Sequence, residues 1–446
     1  MRARLVPAAL LLFGMALPAA AGTVLTLNEA IETALRENPA IRAHSWSVKS
    51  REEDLLSSQG TLFPALTVEE KYSRTNNPTY GFMAKLNQER FTQEDFLISS
   101  LNDPDDISDY ETSFTIHQPL IVPTVYFGIG VSERELEAQE AEYERKKDET
   151  ARAVVKAFLA VRTADEHRRV ARKALEDARE HRRLASVRYE SGTGLYSDLL
   201  RAEVAVKNAE LMIIQTAGNA EVARRALGLA IGRTEPVEAA GEMPVLPFGD
   251  IQGYLEAAGQ RDDVAALELR HEGSRRAVKL EKARFLPEAG LSGSYILHDH
   301  KDPFSPEGES YYFMGYLRWR LFDVSSYHMI RKAEAQAGEA AEHLSALKKS
   351  IHFRVNEAYT RVQENEKKRE LSAAVLMEAE EALKLVRVRY ENGLAPVVDL
   401  LDTQLILDAA RAGVVEAENE HLNALAELYH ESGMLLEAVG SQADKE

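Results

Sequence analysis

Few side chains in this sequence are spaced for chemistry, and each candidate fails as a catalytic set. Asp399 and Asp402 stand just beyond a Gly393-Leu394-Ala395-Pro396 turn; with Pro396 as a first helical residue, they fall in the opening turns of a helix, where acids favour the dipole. Asp198 follows a similar turn, Gly192-Thr193-Gly194-Leu195, where Ser197 or Asp198 is expected to cap the returning helix. The glycines of that turn lack the remaining glycine and the lysine of a phosphate loop and do not follow a strand. His298-Asp299-His300 offers metal ligands, but it sits at a strand end with no further ligand cluster, and no metal is expected there. There is no nucleophile elbow, zincin helix or P-loop, and the chain reads as a non-enzyme without a cofactor.

The elements that carry these turns are duplicated. Leu184, Val187, Arg188, Tyr189, Glu190 and Gly192 recur 201 residues later as Leu385, Val388, Arg389, Tyr390, Glu391 and Gly393, and Asp198-Leu199-Leu200 recurs as Asp399-Leu400-Leu401. Each copy leads from a long polar helix through a glycine turn into another helix, so the chain is built from two similar helical hairpins. No proline occurs between Thr124 and Glu235 or between Glu307 and Ala395. Residues 124–190 are mostly Ala, Glu, Lys, Arg, Leu and Val, the composition of a long helix of roughly 100 Å. Val154, Phe158 and Val161 form one apolar stripe, copied as Val355, Tyr359 and Val362.

Four other segments alternate with period two. Leu66, Val68 and Tyr72 oppose Thr67, Glu69, Lys71 and Ser73; Tyr110, Phe114 and Ile116 oppose Glu111, Ser113, Thr115 and His117. Leu291, Tyr295 and Leu297 oppose Ser292, Ser294 and His298, and Tyr311, Phe313, Leu317, Trp319 and Leu321 oppose Tyr312, Tyr316, Arg318 and Arg320. These are strands with one greasy and one wet face, near the length that crosses a bilayer when tilted. A soluble sandwich would alternate in the same way. Aromatic residues at the segment ends (Phe63, Tyr80, Phe82, Tyr110, Phe285, Tyr311, Tyr312, Trp319 and Phe322) suit interfacial girdles instead. Four strands are too few to close a barrel, so several copies must share one. Pro64 and Pro287 mark the passage from helix to strand and Pro119 and Pro123 the exit from the first strand pair; the acidic stretch 79–108, whose counterpart near 299–309 is short, reads as a long outer loop of a barrel or equally as a disordered surface insertion.

The first residues say where the chain works. Arg2 and Arg4 precede an apolar run from Leu5 to Leu17 and then Ala19-Ala20-Ala21, the pattern of a cleaved export signal over 1–21. The run is shorter than the about 20 residues of a spanning helix. With no cysteine, neither disulfides nor a lipidated N-terminal cysteine is available. The formal charge of −18 argues against nucleic acid as a partner. The organisation expected is a first repeat over 22–231, a linker over 232–262, a second repeat over 263–437 and a short tail over 438–446.

Taken together these residues resemble the TolC-like outer-membrane efflux proteins over essentially the whole mature chain. The resemblance rests on the Leu27 to Pro39 opening, Gln118-Pro119-Leu120 and Leu321-Phe322-Asp323 after strands, and both Tyr-Glu-x-Gly turns. It implies a mainly α chain with β. A long helical coiled-coil barrel would join four amphipathic strands per chain, which complete a twelve-stranded outer-membrane β-barrel in a homotrimer. It further implies an exit duct in contact with outer-membrane lipid, opened at its periplasmic tips by an adaptor and an inner-membrane transporter. Asp399 and Asp402 match the family's paired gate acids, and Asp198 and Tyr390 match residues that link neighbouring tips. A basic residue of those links would fall at Ala395, which departs from the pattern. Gly192, Thr193, Gly194, Leu195, Gly393 and Leu394 would then be the tips that dock the adaptor. A periplasmic adaptor is the alternative, since it too carries a long helical hairpin, though normally one hairpin flanked by small β domains.

Overall fold

A computed structural model describes residues 23–440; the expected export signal and residues 441–446 lie outside the described residues. In chain order the elements are β1 (Thr23–Leu25), α1 (Leu27–Glu37), α2 (Pro39–Gly60), β2 (Ala65–Thr75), α3 (Pro78–Asn87), a 3-10 turn (Glu94–Phe96), α4 (Ile98–Asn102), β3 (Ile107–Ile121) and α5 (Pro123–Glu190). There follow α6 (Tyr196–Ala230), β4 (Val237–Ala239), α7 (Ile251–Ala258), α8 (Asp262–Ala283), β5 (Glu288–Asp299), β6 (Gly308–Arg318), α9 (Val324–Glu391), α10 (Val397–Glu431) and α11 (Leu435–Gly440).

The duplication is written into these bounds. α5 and α9 each have 68 residues, α6 and α10 each have 35, and every bound in the second copy is its counterpart plus 201. Upstream, α2 and α8 have 22 residues each at an offset of 223. The 22-residue difference arises in the connection between β2 and β3, which is longer than the one between β5 and β6. Compactness does not follow the repeats: residues up to Ala43, Lys146–Gly259 and Ile351 onward form one unit, and His44–Arg145 with Gln260–Ser350 form the other. Each unit therefore draws on both copies.

In the second unit β2, β3, β5 and β6 form one antiparallel sheet in that order. Its register puts Val68, Phe114, Tyr295 and Tyr311 in one row across all four strands. Because side chains alternate along a strand, Leu66, Tyr72, Ile116, Phe313 and Leu317 share that face. The face lies open: Leu66 is 71% exposed, Phe313 72% and Leu317 71%. The opposite face is wet, with Thr115 bonded to Ser294 at 2.9 Å and His117 stacked on Tyr316. Pro119 is accommodated at a register irregularity before Ile121, where a missing N–H costs least.

Three details correct the sequence reading. The fourth strand stops at Arg318, leaving Trp319 and Leu321 beyond it; Trp319 donates from Nε1 to the Phe285 carbonyl at 2.9 Å. The acidic loop is folded into α3, the 3-10 turn and α4, opened by Asn77, whose side chain accepts from Thr79 and Tyr80 N–H ahead of Pro78. Phe82 packs edge-on against Phe91 inside that loop and is not free for a girdle.

In the first unit the apolar stripe closes a core: Val154, Phe158, Val161, Val355 and Val362 are fully buried. β1 pairs in parallel with β4, and Thr26 with Glu29 makes a capping box at α1. Glu37 is held down to about 2 by hydrogen bonds from Arg233, then Arg36, and the Asn38 amide donates to the Ala230 carbonyl at 2.8 Å. Among the described residues no helix is long and apolar enough to cross a membrane.

Candidate functional site: the paired hairpin tips

The two tips are built by the same helix stop. Thr193 N–H reaches back to the Arg188 carbonyl at 2.9 Å and Gly192 N–H to Tyr189 at 3.0 Å; Leu394 N–H reaches Arg389 at 2.7 Å and Gly393 N–H reaches Tyr390 at 2.9 Å. These pairs are Schellman stops, which need a left-handed residue after the helix. Gly192 (φ 77°) and Gly393 (φ 76°) supply it without a Cβ penalty. In the first tip Gly194 N–H also reaches Arg188, where a Cβ would stand 3.0 Å from that of Arg188. The second tip has Ala395 there, and its Asn392 side chain donates to the Val388 carbonyl instead.

The second returning helix starts one residue later than expected, and the first starts two to three residues earlier. Leu195 and Pro396 are the N-cap residues, neither with a side-chain cap, so Pro396 precedes the helix and Ser197 and Asp198 do not cap it. Asp198 and Asp399 lie in the first turns, consistent with the dipole role. Asp399 and Asp402 are exposed and make no ion pair among the described residues. Leu195 and Leu394 are also exposed at the turns.

Tyr390 is buried to 3% exposure and packs with Val397 and Leu400, flanked by Leu184 of α5. Over its ring lies Arg188, with Cζ 4.8 Å from the centroid, and Nη1 of the same guanidinium donates to the Tyr390 carbonyl. Burial pushes the Tyr390 phenol up; Arg188 pulls it down and the charge of Asp198 adds to the rise. Arg188 belongs to the first copy and Tyr390 to the second, so the structure brings together two tips that are 202 residues apart in sequence. Asp198 reaches Tyr390 only through its charge, not through a hydrogen bond.

Sequence reasoning missed a polar layer one step back from the tips. His181 Nε2 lies 2.9 Å from Gln404 Oε1, and the Gln404 amide donates to Asp408 at 2.9 Å. Arg411 donates to Asp177 at 2.9 Å and approaches Asp408 at 3.4 Å. Burial works against the Asp177 charge, yet bonds from Arg411 and Lys173 outweigh it and hold its pKa down. Asp408 is pushed up, chiefly by burial, with Gln404 and Arg411 offsetting part of it. The available signal was Gln404, Asp408 and Arg411 recurring at four and three residues beside Leu400 and Leu407, polar side chains on a buried stripe.

The structure gives His298-Asp299-His300 the neighbouring ligands that the sequence did not show. His298-Asp299-His300 divides into two groups: Asp109 and Glu111 of β3 gather around His298, while Glu307 joins Asp299 and His300.

The sequence matches the outer membrane efflux protein family over residues 30–233 and 254–433. It is 28% identical over 201 residues to the alkaline protease secretion protein AprF of Pseudomonas aeruginosa, covering 43% of this chain and 41% of that relative's length. The structure is similar to the open-state MtrE outer membrane channel of Neisseria gonorrhoeae, with TM-score 0.75 and 20% identity over 92% of this chain and 89% of that one. It also resembles the outer membrane protein VceC of Vibrio cholerae, with TM-score 0.73 and 17% identity over 91% of this chain and 96% of the other.

Proposed function

Since this chain belongs to the outer membrane efflux protein family, we propose that it is one third of a passive exit duct whose helical hairpin tips form the gate. The observation that carries this reading is the four-stranded sheet. One face is largely apolar and open, and among the described residues β2 and β6 at its edges have no neighbour on their outer side. In water such a face and two free edges invite aggregation; in a membrane only a closed barrel satisfies every backbone group. Three copies supply twelve strands, with the face of Val68, Phe114, Tyr295 and Tyr311 toward lipid and the face of Thr115 and Ser294 toward the passage. The adaptor alternative fits poorly, because two hairpins each follow a strand pair.

Three copies of the second tip would bring Asp399 and Asp402 together as six carboxylates. Held in a narrow mouth, like charges concentrate counterions and favour cations. The tip residues Gly192, Thr193, Gly194, Leu195, Gly393 and Leu394 would be offered to a periplasmic adaptor and, through it, to an inner-membrane transporter that supplies the energy. Tyr390, Asp198 and Arg188 would hold the resting tips. Arg188 takes the part for which Ala395 leaves no base.

Planar-bilayer conductance of the purified protein tests the gate. Wild type is expected to give small, cation-selective currents, and Asp399→Ala with Asp402→Ala to abolish the selectivity. Unchanged selectivity would leave the two acids with only their helix-dipole role. A monomeric soluble periplasmic protein would overturn the duct as a whole.

A further inference from the structure

We propose that the polar face of the sheet carries a site for one divalent transition-metal ion per chain, formed by Asp109 and Glu111 of β3 and His298 of β5. This assignment stands apart from the gate. Asp109 and Glu111 are alternate residues of one strand and so project from the same face, and the strand register sets Glu111 directly opposite His298. One donor atom from each of the three lies within 4.8 Å of the others. His298 Nδ1 stands 3.0 and 3.2 Å from the two Asp109 oxygens, a separation that donors sharing one ion with bonds of about 2.1 Å adopt.

Charge sets this group apart from an ordinary buried histidine–aspartate pair. Asp109 is 7% and His298 5% exposed, and two carboxylates face one imidazole. Their neighbours supply little compensation. The neutral Gln88 amide donates to Asp109 at 2.8 Å, and Lys71, well exposed, reaches Glu111 only at 3.5 Å. Arg90 is turned to the Gln88 oxygen at 3.2 Å and to Glu307 at 3.6 Å. Taking the Asp109 carboxylate out of water is costly, and a divalent ion shared with Glu111 offsets that cost. Two oxygens and an imidazole nitrogen select zinc, nickel or cobalt over magnesium or calcium, which prefer all-oxygen sets.

The adjacent group is differently engaged. Asp299 Oδ1 accepts the N–H groups of Lys301 at 2.6 Å and Asp302 at 3.0 Å, closing the hairpin turn, and His300 Nδ1 lies on Glu307. Those groups are engaged within the turn, which leaves Asp109, Glu111 and His298 as the set in which two carboxylates face one imidazole.

The test is titration of the purified full-length protein in detergent with zinc and with magnesium, followed by calorimetry, and with cobalt, followed by its visible absorption. Asp399→Ala and Asp402→Ala are present throughout to remove competing carboxylates, and size-exclusion chromatography checks that each variant keeps the parent assembly. One zinc per chain is expected, with magnesium at least 100-fold weaker. Half-exposed Glu111→Gln and His298→Gln are each expected to weaken zinc at least tenfold and to change the cobalt spectrum, while His300→Gln leaves both unaltered. The absence of saturable zinc binding, binding that persists in both Glu111→Gln and His298→Gln, or loss on His300→Gln alone would each overturn the site.

Discussion

Tyr189 and Tyr390 occupy the same place in two copies of one sequence, yet the first is 44% exposed and the second 3%. Local sequence is not the cause. Both precede the same Glu-x-Gly turn, and both turns use the same backbone stop. The difference lies in what crosses over: Arg188, from the first copy, covers Tyr390 of the second, while the ring of Tyr189 lies 5.4 Å from that of Tyr196 in its own hairpin. Arg389, the copy of Arg188, is exposed. Duplication thus gives two equal hairpins, and their packing makes one tyrosine a core residue and leaves its twin at the surface.

The strongest way to break that comparison is to remove the two rings in turn. Tyr390→Ala deletes a buried aromatic from the cluster with Val397 and Leu400, at a cost of about 3 kcal/mol, whereas Tyr189→Ala is expected to cost less than about 1 kcal/mol. Hydrogen exchange across residues 384–400 reads this as roughly 100-fold faster opening for the first and little change for the second. Equal effects would mean that the burial of Tyr390 contributes nothing beyond what Tyr189 has.

Arg188→Ala is the next largest. It removes a cation over a ring and a charge-assisted bond to the Tyr390 carbonyl, together about 1–2 kcal/mol at a half-exposed site. Exchange at the second tip should quicken about tenfold, and single-channel conductance in the same bilayers should rise as the tips loosen. Arg389→Ala should alter neither. If conductance rises equally in both variants, the arginine acts through general surface charge and not through Tyr390.

Much of this was legible from residues alone, and the boundary has a physical cause. The faces of the sheet could be read because a period of two survives any tertiary context: Val68, Phe114, Tyr295 and Tyr311 fall in one row as their alternation requires. The tip turns could be read because glycine accepts the φ of 77° and 76° found there without a Cβ penalty. The ends of β3 escaped, since Ile107 to Asp109 and Gln118 to Ile121 are ordered by partners and not by their own pattern. α3 was signalled by Asn77-Pro78, but the acids that follow read as loop. The contact of Arg188 with Tyr390, the layer of His181, Gln404 and Asp408, and the gathering of Asp109 with His298 share one obstacle. Each joins elements at least 189 residues apart, and no local period encodes such a meeting.

The smallest effect is the most specific, because it titrates the asymmetry. Burial raises the Tyr390 phenol above its ordinary value of 10.0, and Asp198 adds to the rise against the pull of Arg188. A raised folded-state value means that the neutral phenol is the form the tip holds. Its contribution is fully present below about pH 10 and is lost as pH climbs through the raised value. Exchange at 384–400 is therefore expected to quicken, beyond its intrinsic base-catalysed rise, only above about pH 10. Tyr390→Phe, which keeps the ring and has no proton to lose, should remove that excess. Asp198→Ala takes away a raising charge while leaving burial intact, so its loosening should begin at the same pH as in wild type but be smaller and level off at lower pH. A loosening of unchanged size in Asp198→Ala would sever the electrostatic tie between Asp198 and Tyr390, and with it any part for Asp198 in holding the tips.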